Sequence, residues 1–474
     1  MLAGSDAALP PGIGGITADS RAVQPGMMYA ALPGTRVDGR SFIADAVARG
    51  AVAVLAPEGT AWPEDVPARP LVLDPEPRRA LARFAALLAG AQPEIVVAVT
   101  GTNGKTSTAE FVRQLFAAAG TRAASLGTLG VIGPHGQSGP GLTTPDPVAL
   151  SNTLASLARD GVRAVALEAS SHGLDQFRLD GVRLAAAGFT NLTRDHLDYH
   201  GTLEAYRAAK LRLFHDLLAP GTPAVVSTEL DAETLGQLRG IALRRGLDLR
   251  TVGTDGDAIR LLRATPQPGG QALEIEADGV RRSIGLALPG RFQADNALLA
   301  AGLAMAAGLG NALDLLPALR GVRGRMELAA EIRGAAVYVD YAHTPDALER
   351  LLLALRPHTA GRLHVVFGAG GDRDRGKRPL MGAIAARLAD HATVTDDNPR
   401  SEDPASIRAA ILAACPGAQE TGDRAAAIAA ALDRLQPGDV LAVAGKGHEQ
   451  GQTVGATTLP FDDVAAVRRL AGLA

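Results

Sequence analysis

The stretch Ile95-Val-Val-Ala-Val-Thr-Gly101-Thr-Asn-Gly-Lys-Thr-Ser107 decides the fold. The apolar run at residues 95–99 reads as a buried strand, and it leads directly into a glycine loop followed by a helical stretch at 107–119. In that arrangement backbone N–H groups and a helix N-terminus cradle phosphate oxygens. Gly101, Thr102, Asn103, Gly104, Lys105, Thr106 and Ser107 are therefore expected to hold the phosphates of ATP. Lys105 would act as a point charge on the β- and γ-phosphates, and Thr106 would offer its hydroxyl to Mg2+. The loop is more compact than the common Gly-x4-Gly-Lys-Ser/Thr form, because the residue five before Gly104 is Val99. An ordinary glycine-containing turn with a chance lysine is the bland alternative.

Outward from this loop, strand-like runs at 164–167, 185–189 and 224–227 alternate with helical stretches at 147–159 and 203–218. That alternation predicts a doubly wound, mostly parallel sheet flanked by helices. Upstream, short apolar runs at 27–32 and 52–56 and a helical pattern at 78–88 predict a small α/β domain, ending where Ala91-Gln-Pro-Glu breaks the helix. Downstream of the basic, glycine-rich hinge Gly321-Val-Arg-Gly-Arg325, alternation restarts with strands expected at 336–339, 363–367, 392–395 and 440–443. Each of those four runs ends in constrained polar sequence. Parallel sheets bind ligands beyond the carboxyl ends of their strands, so the four loops are expected to converge. The expected fold is thus three-domain α/β: 1–92, 93–325 and 326–474, the last Rossmann-like.

Composition narrows the function classes. A chain of 474 residues with 47% hydrophobic content can bury several cores. Its net charge of -3 supplies no global field for nucleic acid or anionic lipid, so neither is an expected partner. The sequence has no signal-peptide pattern and no apolar run of membrane-spanning length, so a cytoplasmic location without membrane insertion is expected, and a monomer. The single cysteine, Cys415, excludes an internal disulfide and reads as packing.

Transfer of a γ-phosphoryl group needs magnesium, so acidic and imidazole groups are expected at neighbouring strand ends. Glu168 and His196 stand at such places. His196 and His200 have the spacing of a helical zinc pair, but no Glu follows the first His and no third ligand suggests itself, which argues against a metalloprotease.

The chain as a whole resembles the ATP-dependent Mur ligases, and among them those that add the third residue to UDP-N-acetylmuramoyl-L-alanyl-D-glutamate. The resemblance rests on Asp19-Ser-Arg-x-Val-x-Pro-Gly, the loop at 101–107, Glu168-Ala-Ser-Ser-His, Asn191-Leu-Thr-Arg-Asp-His-Leu-Asp-Tyr-His-Gly, Ala208-Ala-Lys-Leu and Pro289-Gly-Arg-Phe-Gln-Ala-Asp-Asn. It continues through Gly324-Arg-Met-Glu, Asp340-Tyr-Ala-His-Thr-Pro, Gly370-Gly-Asp-Arg-Asp-Arg-Gly-Lys-Arg-Pro, Asp397-Asn-Pro-Arg and Gly445-Lys-Gly-His-Glu. It implies ATP as a substrate, an acyl-phosphate intermediate and a role in peptidoglycan precursor synthesis. It implies catalytic roles for Lys105, Glu168, His196 and Lys210, with Mg2+ held by Thr106, Glu168, His196 and Lys210 as its carbamate, N6-carboxylysine. Composition alone would leave Lys210 on a solvated helix face. By the same resemblance Asn296 contacts adenine, Arg325 the γ-phosphate and Asp340 the ribose, which implies domain closure around the nucleotide. Ser20, Thr35, Arg36 and Val37 match the uridine-diphosphate end, and Thr143, Thr144, Ser170, Gln176 and Arg178 the muramoyl-dipeptide.

For the incoming amino acid, the members that add meso-diaminopimelate resemble this chain at Asp397-Asn398-Pro399-Arg400. A planar arginine fork suits a distal carboxylate, which lysine lacks. Arg400 is expected to hold that group, with Arg373 as a further contact and Asn398 in support, while Glu449 and the Gly445 carbonyl receive the distal ammonium. Arg400 could instead cap local carbonyls or pair with Glu402. The rival functions are a lysine-adding or folylpolyglutamate-synthase-like ligase, a P-loop switch that hydrolyses nucleotide without an amino acid, and a silent scaffold.

Overall fold

The computed structural model describes residues 8–34, 37–139, 141–267 and 269–473. They separate into two compact units, one running to residue 260 and including 298–315, the other comprising 261–297 and 316 onward.

The first unit opens with a parallel sheet of Gly15–Thr17, Met27–Ala30, Ala53–Pro57 and Leu71–Asp74, side by side in chain order. Helix Pro77–Ala89 starts on a proline, whose missing N–H no helical partner needs, and packs Leu81 and Phe84 against Ile16, Met28 and Leu55. The second sheet pairs Asp248–Gly253, Pro223–Ser227, Ala186–Phe189, Ile95–Thr100, Ala164–Glu168 and Ala123–Gly127 in parallel, in that spatial order. Strand Ile95–Thr100 is almost wholly buried, as a run of Val and Ala between two helical layers requires. It lies between Ala164–Glu168 and Ala186–Phe189, with Val99 opposite Glu168 and Thr100 opposite Phe189. The chain therefore steps to opposite sides at its carboxyl end, the place where open sheets bind ligands.

In the second unit Gly270–Ala277 and Val280–Leu286 form a hairpin closed by Asp278 (φ 52°) and Gly279 (φ 73°), the two left-handed residues a type I′ turn demands. The larger sheet runs Glu327–Ile332, Ala335–Asp340, Val440–Ala444, Leu363–Phe367, His391–Val394, Gln419–Glu420, parallel after its first pair. Helices Pro345–Leu355, Lys377–Leu388 and Pro404–Leu412 cover one face through Leu348, Leu352, Met381 and Ile411. Helices Arg424–Arg434 and Asp463–Leu470 cover the other through Ile428 and Val467. The α/β expectation holds in the three larger sheets of the described residues. Cys415 is buried in the first of those layers, and burial pushes its thiol pKa up, as suits inert packing.

Candidate functional site

In the first unit the phosphate loop is fixed from the neighbouring strand end. Gly101 (φ 145°) and Gly104 (φ 83°) take backbone angles that side chains disfavour, and a Cβ on Gly101 would lie 1.8 Å from Thr190 Oγ1. Thr102 N donates to the Asn191 carbonyl (2.8 Å), Asn103 N to Asn191 Oδ1 (3.0 Å), and Thr190 Oγ1 to the Asn103 carbonyl (2.6 Å). Lys105, first residue of helix Lys105–Ala118, folds back so that Nζ donates to the carbonyls of Gly101 (2.9 Å) and Thr102 (2.8 Å). Thr106 and Ser107 follow it, both buried.

Glu168 ends its strand 2% exposed and gathers donors: Thr106 Oγ1 to Oε2 at 3.0 Å and Thr128 N to Oε1 at 2.8 Å. Thr144 Oγ1 donates to the Glu168 carbonyl (2.8 Å) and lies 3.0 Å from Ser170 Oγ, which caps helix Ser171–Asp175. Arg178 donates to the Thr144 carbonyl (2.6 Å) and to Gln176 Oε1 (2.7 Å), and Thr143 Oγ1 lies 3.1 Å from Thr128 Oγ1. The five residues matched to the muramoyl-dipeptide thus form one network around Glu168. Tyr199, quoted in a motif but given no role from sequence, extends it: its hydroxyl accepts from Gln176 (3.1 Å) and donates to Asp175 (2.8 Å). Among the described residues Ser20, half-buried in the turn Ser20–Ala22, and exposed Val37 share no hydrogen bond with that network. Thr35 and Arg36 lie outside the described residues.

Lys210 departs from the solvated surface that composition alone assigns it. Helix Leu203–Arg212, capped by Thr202, turns Tyr206, Ala209 and Lys210 inward, and Lys210 is 1% exposed. Its Nζ donates to the Gly101 carbonyl (2.7 Å) and lies 4.4 Å from the Tyr206 ring centroid. Burial, reinforced by Lys105, draws its pKa well below the usual lysine range. His196, at φ 51° before the short helix Leu197–His200, is half-exposed with its ring 5.0 Å from that of His172. Among the described residues no group of three or more His, Cys, Asp or Glu side chains is arranged to hold a metal. Thr106 and Glu168 are hard oxygen donors, which suits a magnesium ion that keeps most of its ligands as water and phosphate oxygens.

The second unit brings together the remaining residues. Asn296 Nδ2 donates to Gln293 Oε1 (3.4 Å), and Gln293 Nε2 to the Arg325 carbonyl (3.3 Å). The Arg325 guanidinium stacks 4.8 Å from the Tyr341 ring centroid, and Met326 N donates to Asp340 Oδ2 (2.6 Å). Burial, opposed by Arg325, pushes the Asp340 carboxyl up to about 6. The four expected loops do converge. Gly445 N donates to the Asp340 carbonyl (3.0 Å), Gly371 N to the Asn398 carbonyl (2.9 Å) and Tyr341 Oη to Glu449 Oε1 (3.4 Å). Asn398 Nδ2 donates to Glu449 Oε2 (2.9 Å), and Arg400 Nη1 to the Gly371 carbonyl (2.8 Å). Asp397, Asn398 and Pro399 are buried, Arg400 half-buried and Arg373 exposed. Glu402 is engaged by Arg378 (2.9 Å) and Arg375 (3.2 Å). Lys446 was not singled out by the sequence reading, yet it is fully buried with Nζ 3.0 Å from Asn398 Oδ1. Its place inside Gly445-Lys-Gly-His-Glu was the available signal, but a lysine between glycines reads as solvated until packing is known.

Comparison with known proteins accounts for most of the chain. Residues 12–88 match the Mur ligase family, catalytic domain, residues 99–304 the Mur ligase middle domain, and residues 324–447 the Mur ligase, glutamate ligase domain. The UDP-N-acetylmuramoyl-L-alanyl-D-glutamate--2,6-diaminopimelate ligase of Caulobacter vibrioides is 57% identical over 467 residues, 97% of this chain and 95% of that protein. The chain belongs to the Mur ligase family. The protein of the same name from Rhizobium meliloti is 54% identical over 463 residues, 97% of this chain and 94% of its own. A solved Mur ligase structure, also a UDP-N-acetylmuramoyl-L-alanyl-D-glutamate--2,6-diaminopimelate ligase, superposes with a TM-score of 0.73 at 34% identity, covering 97% of this chain and 95% of that one. Among the described residues of this Mur ligase no helix is long and apolar enough to cross a membrane.

Proposed function

We propose that this Mur ligase joins meso-2,6-diaminopimelate to UDP-N-acetylmuramoyl-L-alanyl-D-glutamate at the expense of ATP, in cytoplasmic peptidoglycan precursor synthesis. The observation that carries the choice of amino acid is the loop cluster at the carboxyl ends of one sheet, in which Asn398 is bonded to Glu449 and Arg400 to the carbonyl of Gly371, whose N–H is bonded to the Asn398 carbonyl. A guanidinium and a carboxylate presented together suit a distal group that is itself a carboxylate beside an ammonium. Arg373, Asp397, Pro399 and the Gly445 carbonyl complete that proposed subsite.

In this reading residues 101–107 hold the ATP phosphates through backbone N–H groups, and Lys105 exchanges its carbonyl partners for phosphate oxygens. Asn296, Arg325 and Asp340 take adenine, γ-phosphate and ribose. Ser20, Thr35, Arg36 and Val37 take the uridine-diphosphate end, and the network of Thr143, Thr144, Ser170, Gln176 and Arg178 takes the muramoyl-dipeptide. Thr106, Glu168, His196 and Lys210 are the residues that would hold magnesium, which when bound supplies positive charge against the phosphate oxygens. Burial favours the neutral amine of Lys210, the form that adds carbon dioxide and loses a proton to give a carbamate. An oxygen of the substrate carboxylate bonds to the γ-phosphorus as the bond to ADP breaks. The amine of diaminopimelate then bonds to the acyl carbon, phosphate departs, and the amine proton passes to solvent or phosphate.

The test is phosphate release from ATP with UDP-N-acetylmuramoyl-dipeptide and meso-diaminopimelate, L-lysine or no amino acid. Release strongly dependent on diaminopimelate is expected. Equal release in all three overturns the ligase reading; faster release with lysine overturns the assignment of Arg400.

A further inference from the structure

Asn398 carries an amide whose two ends have opposite hydrogen-bonding character, so which end faces the ligand decides what it recognises. Its Oδ1 receives Lys446 Nζ (3.0 Å) and Thr453 N (2.9 Å), groups that here act as donors. Exchanging Oδ1 and Nδ2 would set an NH2 group against an ammonium and a backbone N–H, losing both bonds. Nδ2 is therefore held toward Glu449 Oε2, which accepts one of its two hydrogens. Among the described residues Glu449 is its acceptor, and the second hydrogen is available to a ligand.

Lys446 is placed for this by its flanks. Gly445 (φ 122°) and Gly447 (φ 54°) bend the chain as it leaves strand Val440–Ala444, and a Cβ on Gly447 would stand 2.7 Å from Tyr341 Cβ. The turn sends Lys446 into the interior, 0% exposed, with Nζ also 3.5 Å from Asp397 Oδ1 and 3.7 Å from Glu449 Oε2. Lys446 thus faces two carboxylates beside the buried Arg424–Asp463 pair.

We propose that Lys446 is a positioning residue that fixes the polarity of the Asn398 amide, so that an N–H donor and not a carbonyl meets the distal carboxylate of the incoming amino acid. This rests on the diaminopimelate reading above. Without Lys446 one of the two donors on Oδ1 is gone, Thr453 N and Glu449 hold the amide less firmly, and a turned amide presents its oxygen to that carboxylate, which repels it. Lysine, with no distal carboxylate, is indifferent to the turn.

The experiment measures KM and kcat for meso-diaminopimelate, L-lysine and ATP in the unsubstituted enzyme, Lys446→Met, Lys446→Gln and Asn398→Asp. Lys446→Met is expected to raise the diaminopimelate KM about 30-fold, the scale of a lost charge-assisted contact, while kcat and the ATP KM hold and the gap to lysine narrows. Lys446→Gln, which keeps a donor, restores part of the loss. Asn398→Asp keeps acceptors for Lys446 and Thr453 but has no N–H, so it tests the contact itself and is expected to lose diaminopimelate use; Lys446→Gln carries the test of Lys446 if Lys446→Met does not fold. The proposal is overturned if Lys446→Met retains the gap between the two amino acids, if it raises the ATP KM in parallel, or if Asn398→Asp uses diaminopimelate normally. No diaminopimelate-dependent turnover in the unsubstituted enzyme overturns the ligase reading, and this inference with it.

Discussion

Gly101→Ala is expected to break the phosphate loop through one contact, and a second substitution should partly repair it. Gly101 has φ 145°, where an L side chain costs about 1–3 kcal/mol. The added Cβ would lie 1.8 Å from Thr190 Oγ1, so the threonine must rotate and give up its 2.6 Å bond to the Asn103 carbonyl. That bond contributes about 1 kcal/mol, which brings the local loss to about 2–4 kcal/mol. Thr190→Ala alone should cost about 1 kcal/mol, the same hydrogen bond. In the double variant the overlap with Oγ1 is gone and the bond is lost once, so the pair should fall short of additivity by about 1 kcal/mol. Amide hydrogen exchange over residues 95–118 reads the local free energy, and an ATP titration reads the loop's function. Additive losses, or a Gly101→Ala loop as protected as the unsubstituted one, would refute the packing argument.

Replacing the planar fork of Arg400 by an ammonium, as Arg400→Lys, should weaken diaminopimelate use by about 10–100-fold and leave ATP affinity unchanged, read as KM against an ATP Kd; loss of ATP affinity would place Arg400 in the wrong site. Lys210→Met removes a buried amine and its one bond to the Gly101 carbonyl, so thermal stability should hold or rise while phosphate release collapses; a protein that unfolds would show the lysine to be structural. Burial, with help from Arg325 and Arg323, pulls the His448 imidazole down from 6.5 to about 4. A depressed imidazole contributes stability above pH 6.5 that is lost as pH falls toward 4, and His448→Gln should flatten that loss in urea titrations. Asp340 works in the opposite sense: its carboxyl is raised from 3.8 to about 6, so its contribution is present below pH 3.8 and disappears as pH rises through 6, and Asp340→Asn should remove that dependence.

The loop at 101–107 was legible in conformation because its signals are local: a buried strand, then two glycines and a lysine at a helix start. The four strand ends of the larger sheet in the second unit were legible for the same reason, each apolar run stopping at a polar, constrained loop. Strands Gly15–Thr17 and Leu71–Asp74 were not, since a few partly buried residues show no period. The Asp278-Gly279 turn carried a readable hairpin signal that the reading passed over. Burial of lysines was beyond reach. Lys210 sits on a helix whose sequence is weakly amphipathic, and what turns it inward is Tyr206 packing below it and the Gly101 carbonyl that accepts from its Nζ. Lys446 is buried by glycines on either side, which sequence reading takes for flexibility.

Arg400 bears on function most sharply through its backbone. It stands at φ 52°, a conformation that costs a non-glycine residue about 1–3 kcal/mol. Its N–H donates to the Thr453 carbonyl (3.0 Å) and its carbonyl accepts from Gly455 N (2.7 Å), so the strand Gly451–Val454 holds the turn in place whatever side chain it carries. Glycine would meet those bonds with less strain. The reason for an arginine must lie in its side chain, and its bond to the Gly371 carbonyl, with a charged donor, is worth about 1.5–3 kcal/mol, much the same as the strain it offsets. Glu402, the other partner the sequence allowed, is occupied by Arg378 and Arg375. A purely structural Arg400 therefore gains little over glycine, and in the proposed reading the guanidinium held on the Gly371 carbonyl is the fork that meets a distal carboxylate.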